Sequence, residues 1–489
     1  MNPLKTVACY VPGIAPEALH WQTLNFGSGA QRLEVDVPVL SPTQMTALAE
    51  RVRHAGQTYL QSLSTSHIID IISRAIARLL DTNDPYRREA ERLLPLVTGL
   101  DAEMVRLSLT ACLKTFRAPQ LHRFVAEDFA NAKLLDEFQP RASGGWSKAI
   151  GPDLLVHVWA GNVPGLPLWS LISGLLVKAG TIGKVSSAEP LFAGWFARLL
   201  VEVEPRLADC LAVVWWKGGD AEAEAVEAVL FSQAEVVLAY GGNHALAKIR
   251  QQVPASTRFL PHGHKLSFGV VSAQALDARQ ALATARAAAW DVVQYEQQGC
   301  YSPQVFYVAR GGKTSPQEFA QYLASELAAL QHKFPRPPLA LEDAVSVASW
   351  RQAWEFEALA RADTALIGDA SQPWCVAFCA QAKPLSPSAL NRTVAVVAVD
   401  SLNAVIPLIA RQRQYLQTVG VAAATEELLP FAASLGAVGV TRICALGAMA
   451  APPAGWHHDG RFSLLDLVRM VDVEHSAESA AESFTAYRD

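Results

Sequence analysis

Leu154-Leu155-Val156-His157-Val158-Trp159-Ala160-Gly161-Asn162-Val163-Pro164-Gly165 begins as a nearly unbroken apolar run and turns on small residues. The segment 166–178 that follows reads as a helix. An apolar run without polar alternation marks a strand buried on both faces, as in a parallel sheet covered by helices. The unit then repeats. Residues 181–185 read as a second strand, 210–216 as a third, 221–231 as a helix and 234–240 as a fourth strand. Strands alternating with helices predict a doubly wound α/β sheet. A second α/β set starts near Lys265, with strands at 266–271, 305–308 and 393–399 and a proline-rich surface connection at 333–339. Upstream, 41–137 reads as a string of helices. Ser41-Pro42-Thr43-Gln44 has a capping-box pattern, and Ile68, Ile69, Ile72, Ile76 and Leu79 form a helical stripe.

Composition narrows the function classes. The 489 residues carry 41 Lys+Arg against 46 Asp+Glu, a net charge of −5, which argues against a nucleic-acid binder held by a basic field. Half the chain (51%) is hydrophobic and 18% is charged, below the roughly 25% of soluble domains, so large cores are expected and disorder is not. The most membrane-like stretch, 163–177, contains Pro164, Gly165, Pro167 and Gly174 and ends at Lys178. A span needs about 20 mostly apolar residues, so none is expected. Met1-Asn2-Pro3-Leu4-Lys5 lacks the pattern of a secretory leader, and a cytoplasmic location is expected. Seven scattered cysteines, an odd number, suit reduced thiols, and Cys375 and Cys379 lack the second pair a structural zinc site needs.

Some motifs mislead. Gly311-Gly312-Lys313-Thr314 resembles the end of a phosphate loop, but the first glycine of that motif would fall at Tyr307. Lys265-Leu266-Ser267-Phe268-Gly269 has the serine of a nucleophile elbow with Lys in place of its first glycine. Cys300 is different. In Gln297-Gln298-Gly299-Cys300-Tyr301-Ser302-Pro303 it sits in a tight loop between a helix and a strand, where amide N–H groups favour a thiolate. Glu296, four residues earlier, reads as a surface charge at a helix end. Asn162 offers an amide donor of the kind an oxyanion requires, although an Asn after a strand is more often a turn or helix cap. Lys184, followed by Ser186 and Ser187, ends the second strand, where ligands of open α/β sheets bind.

Asn162, Lys184, the turn Tyr240-Gly241-Gly242-Asn243 and Cys300 occur in the order and spacing of the aldehyde dehydrogenase superfamily. With the words 157–165, 297–303 and Trp456-His457-His458-Asp459-Gly460, the chain more closely resembles LuxC-type acyl-CoA reductases, the reductase component of the bacterial bioluminescence fatty acid reductase. The resemblance covers about 85 to the mid-470s. It implies an aldehyde-dehydrogenase-like fold: a helical N-terminal region at 1–137, a Rossmann-like NADP-binding domain at 138–264, a catalytic thiol domain at 265–445, and a segment at 446–489 returning to the cofactor domain or an oligomer interface. It implies Cys300 as nucleophile and Asn162 as oxyanion donor. Lys184, Ser186, Ser187, Tyr240, Gly241, Gly242 and Asn243 would be cofactor-binding. Ser187 stands where NAD-preferring relatives often carry an acid, so NADPH is expected. The family resemblance implies no metal, although His262, His264, His457, His458 and Asp459 have the residue types of a ligand set.

Two departures from aldehyde dehydrogenases shape the expected chemistry. Their general-base Glu matches Pro261 in Pro261-His262-Gly263-His264-Lys265, and the carboxylate that holds their nicotinamide ribose falls near Ala389. Without the base, hydrolysis of an acyl-enzyme slows. The resemblance therefore implies reduction of an acyl thioester, from CoA or a carrier, to an aldehyde. Aldehyde oxidation and a non-catalytic acyl-carrier scaffold are the alternatives. An acyl-protein synthetase partner and subunits paired through sheets are implied by the same analogy.

Overall fold

The apolar runs form the parallel strands they predict in the computed structural model, which describes residues 3–27 and 32–484. The chain divides into two units, the first comprising Met1–Thr98, Leu109–Gly263 and Pro453–Asp489 and the second Gly99–Ser108 and His264–Pro452.

In the first unit the strands are β1 (Leu154–Val158), β2 (Gly180–Lys184), β3 (Leu211–Val214), β4 (Val236–Tyr240) and β5 (Arg258–His262). They form a parallel sheet in the order β5-β4-β1-β2-β3. The chain therefore runs outward from β1 in one direction, returns, and runs outward in the other. Burial explains the apolar surplus. The helix Leu166–Leu176 is buried on all sides, with Leu168, Leu171 and Ile172 at 0% exposure. Its 11 residues span about 16 Å, half a bilayer core. Among the described residues, no helix is long and apolar enough to cross a membrane. Trp159 lies across β2 and donates its indole N–H to Ser170 Oγ at 2.7 Å. Gly183 makes room for that ring, since a Cβ there would fall 1.8 Å from it.

The expectation of a helical N-terminal region is corrected for the described residues before Pro42. Strands Leu4–Val7, His20–Phe26 and Leu33–Val39 form a three-stranded sheet. The cause is a period of two: Leu33, Val35 and Val37 are buried, while Glu34 and Asp36 are partly exposed. Helices follow from Pro42–Thr58 to Ala118–Asp128. Near the other end of the chain, Arg469–Val473 pairs antiparallel with Trp146–Ile150.

The second unit holds β6 (Leu266–Val271), β7 (Pro303–Ala309), β8 (Thr364–Ile367), β9 (Cys375–Cys379), β10 (Thr393–Val399), β11 (Leu416–Ala422) and β12 (Arg442–Ala445). Their order is β8-β9-β10-β7-β6-β11-β12, all parallel except β8. One face packs Phe306, Val308 and Val396 under the helices Ala281–Val293 and Pro316–Lys333, where Ala285, Ala288 and Ala289 allow close approach. The other face buries Phe268, Tyr307, Val397 and Val419 against Phe431 and Leu435. All seven cysteines are thiols.

Candidate functional site

The first unit gathers most of the predicted positions on one edge. Val158 pairs with Lys184 and with Ala239, and Tyr240 pairs with His262, so the carboxyl ends of β5, β4, β1 and β2 are level. The sheet order reverses between β1 and β4, and ligands of doubly wound sheets bind outside the carboxyl ends at such a point. Asn162 is exposed on the loop after β1. The cap of the following helix is Gly165, so capping is not the role of Asn162. Gly242 caps the helix Asn243–Gln252, and the Gly241 N–H donates to the His262 carbonyl at 3.2 Å.

Lys184 ends β2 with its ammonium 5.8 Å from the centre of the Trp216 ring. Burial lowers its pKa, opposed by the charge of Glu227. Ser186 Oγ accepts from the Ala188 N–H at 3.1 Å, and Ser187, which is exposed, accepts from the Trp215 indole at 3.0 Å. Glu189 is buried and accepts from the Leu191 and Phe192 N–H groups, and desolvation pushes its carboxyl up to about 7. A lysine, two hydroxyls and a glycine turn on one carboxyl edge suit a dinucleotide with ribose and phosphate groups.

Beside Tyr240 is an aromatic stack whose arrangement the sequence did not reveal. The Tyr240 and His262 rings are 4.8 Å apart, His262 and His458 4.3 Å, and His458 and Trp456 4.7 Å, all within 28° of parallel. His262 Nδ1 is 2.9 Å from Asp459 Oδ2. His262, His458 and Asp459 thus bring ligand-type atoms within 4.8 Å of one another. Imidazole lone pairs lie in the ring plane, so in stacked rings they run parallel instead of converging on an ion. The arrangement fits a stacked, hydrogen-bonded cluster better than a chelate. His457 packs edge-on against Phe462, and His264 against Tyr415.

Cys300 belongs to the second unit, half-buried, three residues before β7. Its carbonyl accepts from Ser267 Oγ at 2.7 Å, and Ser267 Oγ accepts from the Thr418 N–H at 3.2 Å. The serine of the false nucleophile elbow is therefore a buried tie between β6, β11 and the cysteine loop. The chain leaves the helix Ala281–Val293 through Tyr295, Glu296 and Gln297, all left-handed at φ 53°, 52° and 61°.

Here the surface reading of Glu296 is corrected. It is 4% exposed, and both its carboxylate oxygens accept from the guanidinium of Arg392, at 2.7 and 2.6 Å. Burial raises its pKa, against the opposing pull of that guanidinium. Ala389 is buried, and its N–H donates to Thr393 Oγ1. Gly311 to Thr314 lead into the helix Pro316–Lys333, whose cap Ser315 is satisfied by Glu318 in a capping box. That helix start is not a phosphate loop.

Comparison with known proteins gives the family and the fold. Residues 50–470 match the family described as acyl-CoA reductase (LuxC). A long-chain acyl-protein thioester reductase of Photorhabdus luminescens is 25% identical over 469 residues, covering 94% of this chain and 91% of that protein. Another, from Aliivibrio fischeri, is 26% identical over 421 residues, covering 84% and 83%. Among solved structures, methylmalonate-semialdehyde dehydrogenase from Oceanimonas doudoroffii superposes with a TM-score of 0.71 at 15% identity, covering 96% of this chain and 98% of that one. The fold is that of the aldehyde dehydrogenases.

Proposed function

Because the chain belongs to the acyl-CoA reductase (LuxC) family, we propose that it reduces an acyl thioester to an aldehyde with NADPH, through an acyl-enzyme on Cys300. The observation that carries the reading is the fixed Cys300 loop in a chain with proline where aldehyde dehydrogenases place their general base. Relatives named long-chain acyl-protein thioester reductases support an acyl group held as a protein thioester. The reading also includes CoA as a donor and an acyl-protein synthetase as the loading partner.

The Cys300 thiolate attacks the thioester carbonyl carbon, and Asn162 is the donor assigned to the oxyanion. Collapse of the tetrahedral adduct breaks the bond to the leaving thiol, which departs as thiolate and takes a proton from solvent. Cys300 retains the acyl group, and with Pro261 in place of a carboxylate no side chain at that position activates water against it. When bound, NADPH supplies the hydride that reduces the acyl carbon. Asn162 holds the resulting oxyanion until the C–S bond to Cys300 breaks, releasing aldehyde and restoring the thiolate. Lys184, Ser186, Ser187 and the turn Tyr240-Gly241-Gly242-Asn243 hold the nucleotide. Ser187 brings no negative charge against a 2′-phosphate, and the reading is of a cytoplasmic homo-oligomer.

The test is NADPH consumption against a panel of acyl thioesters, free and partner-loaded, with the aldehyde identified. Aldehyde from at least one thioester, with NADPH preferred over NADH, is expected. No aldehyde from any of them would overturn the reaction, and equal efficiency with NADH would overturn the cofactor assignment.

A further inference from the structure

We propose that the buried Glu296–Arg392 pair is a positioning device that sets the Cys300 loop by locking together two left-handed turns. The inference rests on Cys300 being the nucleophile.

The first turn is Tyr295-Glu296-Gln297. The second is Leu390-Asn391-Arg392, at φ 54°, 50° and 67°. Left-handed backbone is unfavourable for any residue with a Cβ, and it occurs singly far more often than in runs. Two runs of three, side by side, persist only where surrounding bonds over-determine them. Those bonds are present. The Asn391 N–H donates to the Glu296 carbonyl at 3.0 Å, so the turns are joined through backbone. The Arg392 fork joins them again through the Glu296 carboxylate. Gln297 Nε2 spans the exits of both, donating to the Pro303 carbonyl at 2.8 Å and the Thr393 carbonyl at 3.1 Å.

Arg392 is itself immobile. It is fully buried and also donates to Gln331 Oε1 at 2.6 Å and to the Phe334 carbonyl at 2.8 Å, while its own carbonyl accepts from the Cys375 N–H. Gln331 and Phe334, in and just after the helix Pro316–Lys333, thereby fix the guanidinium, strand β9 fixes the Arg392 backbone, the guanidinium fixes Glu296, and Glu296 fixes the turn leading to the thiol. A buried ion pair adds little stability over apolar residues of the same volume, but its bidentate geometry specifies one arrangement. A nucleophile must hold its attacking atom to within a fraction of an ångström, so such a lock has kinetic value.

The test reads the thiol directly. Iodoacetamide alkylates the Cys300 thiolate, forming a C–S bond as iodide leaves, and mass spectrometry counts the modification at that residue. Two variants are compared with wild type: Arg392→Lys, which keeps the charge and loses the fork, and the double variant Glu296→Gln/Arg392→Met, which leaves no buried charge if the first does not fold. Expected are losses of about 10- to 100-fold in both the alkylation rate and kcat, with NADPH affinity unchanged. A folded double variant that alkylates and turns over at wild-type rates would overturn the proposal. So would a parallel fall in NADPH affinity, which is the mark of general loosening. Turnover that survives in Cys300→Ala would instead overturn the nucleophile reading, and the alkylation measurement, which needs no turnover, keeps the two failures apart.

Discussion

The carboxyl edge of the first sheet and the cysteine loop of the second unit position their residues by opposite means. On the edge, regular structure does the placing. Lys184, Tyr240 and His262 are terminal residues of parallel strands, and ladder hydrogen bonds level them without any special side chain. In the loop no ladder is available between Val293 and Pro303, and its three left-handed residues, with the three of the facing turn Leu390-Asn391-Arg392, are held by buried side chains and turn-to-turn bonds instead. A nucleotide makes many weak contacts and tolerates small displacements of each. A nucleophilic thiol does not, and the more elaborate anchoring is found at the loop of the proposed nucleophile.

The comparison breaks first at the thiol. Cys300→Ala removes the proposed nucleophile, and NADPH-dependent turnover is expected to fall to background in a variant that stays folded. Full turnover would return the loop to an unexplained structural feature. Next in size is Glu296→Ala, which strands the Arg392 charge in the interior. Unpairing a buried ion pair costs about 3–5 kcal/mol, to be read from the midpoint of denaturant unfolding. The same truncation at Glu89, whose partner Arg92 is half exposed, should cost no more than about 1 kcal/mol. Equal losses at both sites would show that the interior pair is not special. On the sheet edge, Asn162→Ala should lower kcat by about 10²–10³, the cost of one oxyanion donor, read beside the unfolding midpoint of the same variant. An unaltered rate would assign the oxyanion elsewhere.

The two regions also differed in how much of each could be read from sequence. Strands β1 to β4 were legible because a strand buried on both faces is an apolar run between turn residues. Asn162, Lys184 and Tyr240 follow from where those runs stop. The strand Leu33–Val39 is less legible because its signal is a short apolar–polar alternation and not an apolar run. Strands β8 and β9 are short and abut an edge, where residue type says little. Glu296 was misread because its partner is 96 residues away, and a lone acid after a helix most often faces water. The clue was mutual: one acid in Gln294-Tyr295-Glu296-Gln297-Gln298 and one base in Leu390-Asn391-Arg392-Thr393, each the single charge in its stretch. His262 and Asp459, 197 residues apart, were named as parts of a metal set, but the stacking that sets their geometry has no sequence signature.

The last prediction concerns the regular region alone and is the smallest. His157 lies one residue before the carboxyl end of β1 with no exposure, stacked on Trp159, and neither ring nitrogen has a hydrogen-bond partner. Desolvation pushes its pKa down to about 3, from near 6.5 in an unfolded chain. The folded state therefore binds fewer protons than the unfolded state between those values, and stability rises with pH across that window. Above about pH 6.5 the neutral ring costs nothing by this route. Below it, the unfolded chain gains a proton that the folded chain refuses, a loss of about 2 kcal/mol by pH 5. His157→Leu removes the titration while keeping an apolar side chain in the core. Unfolding midpoints at pH 7.5 and pH 5 should then differ by less in the variant than in wild type, by an amount equivalent to that figure. An identical acid sensitivity in both would place the responsible group outside the sheet. A difference of the expected size would show that even this edge, built by ladder geometry, carries one strand whose composition limits the pH range over which the sheet stands.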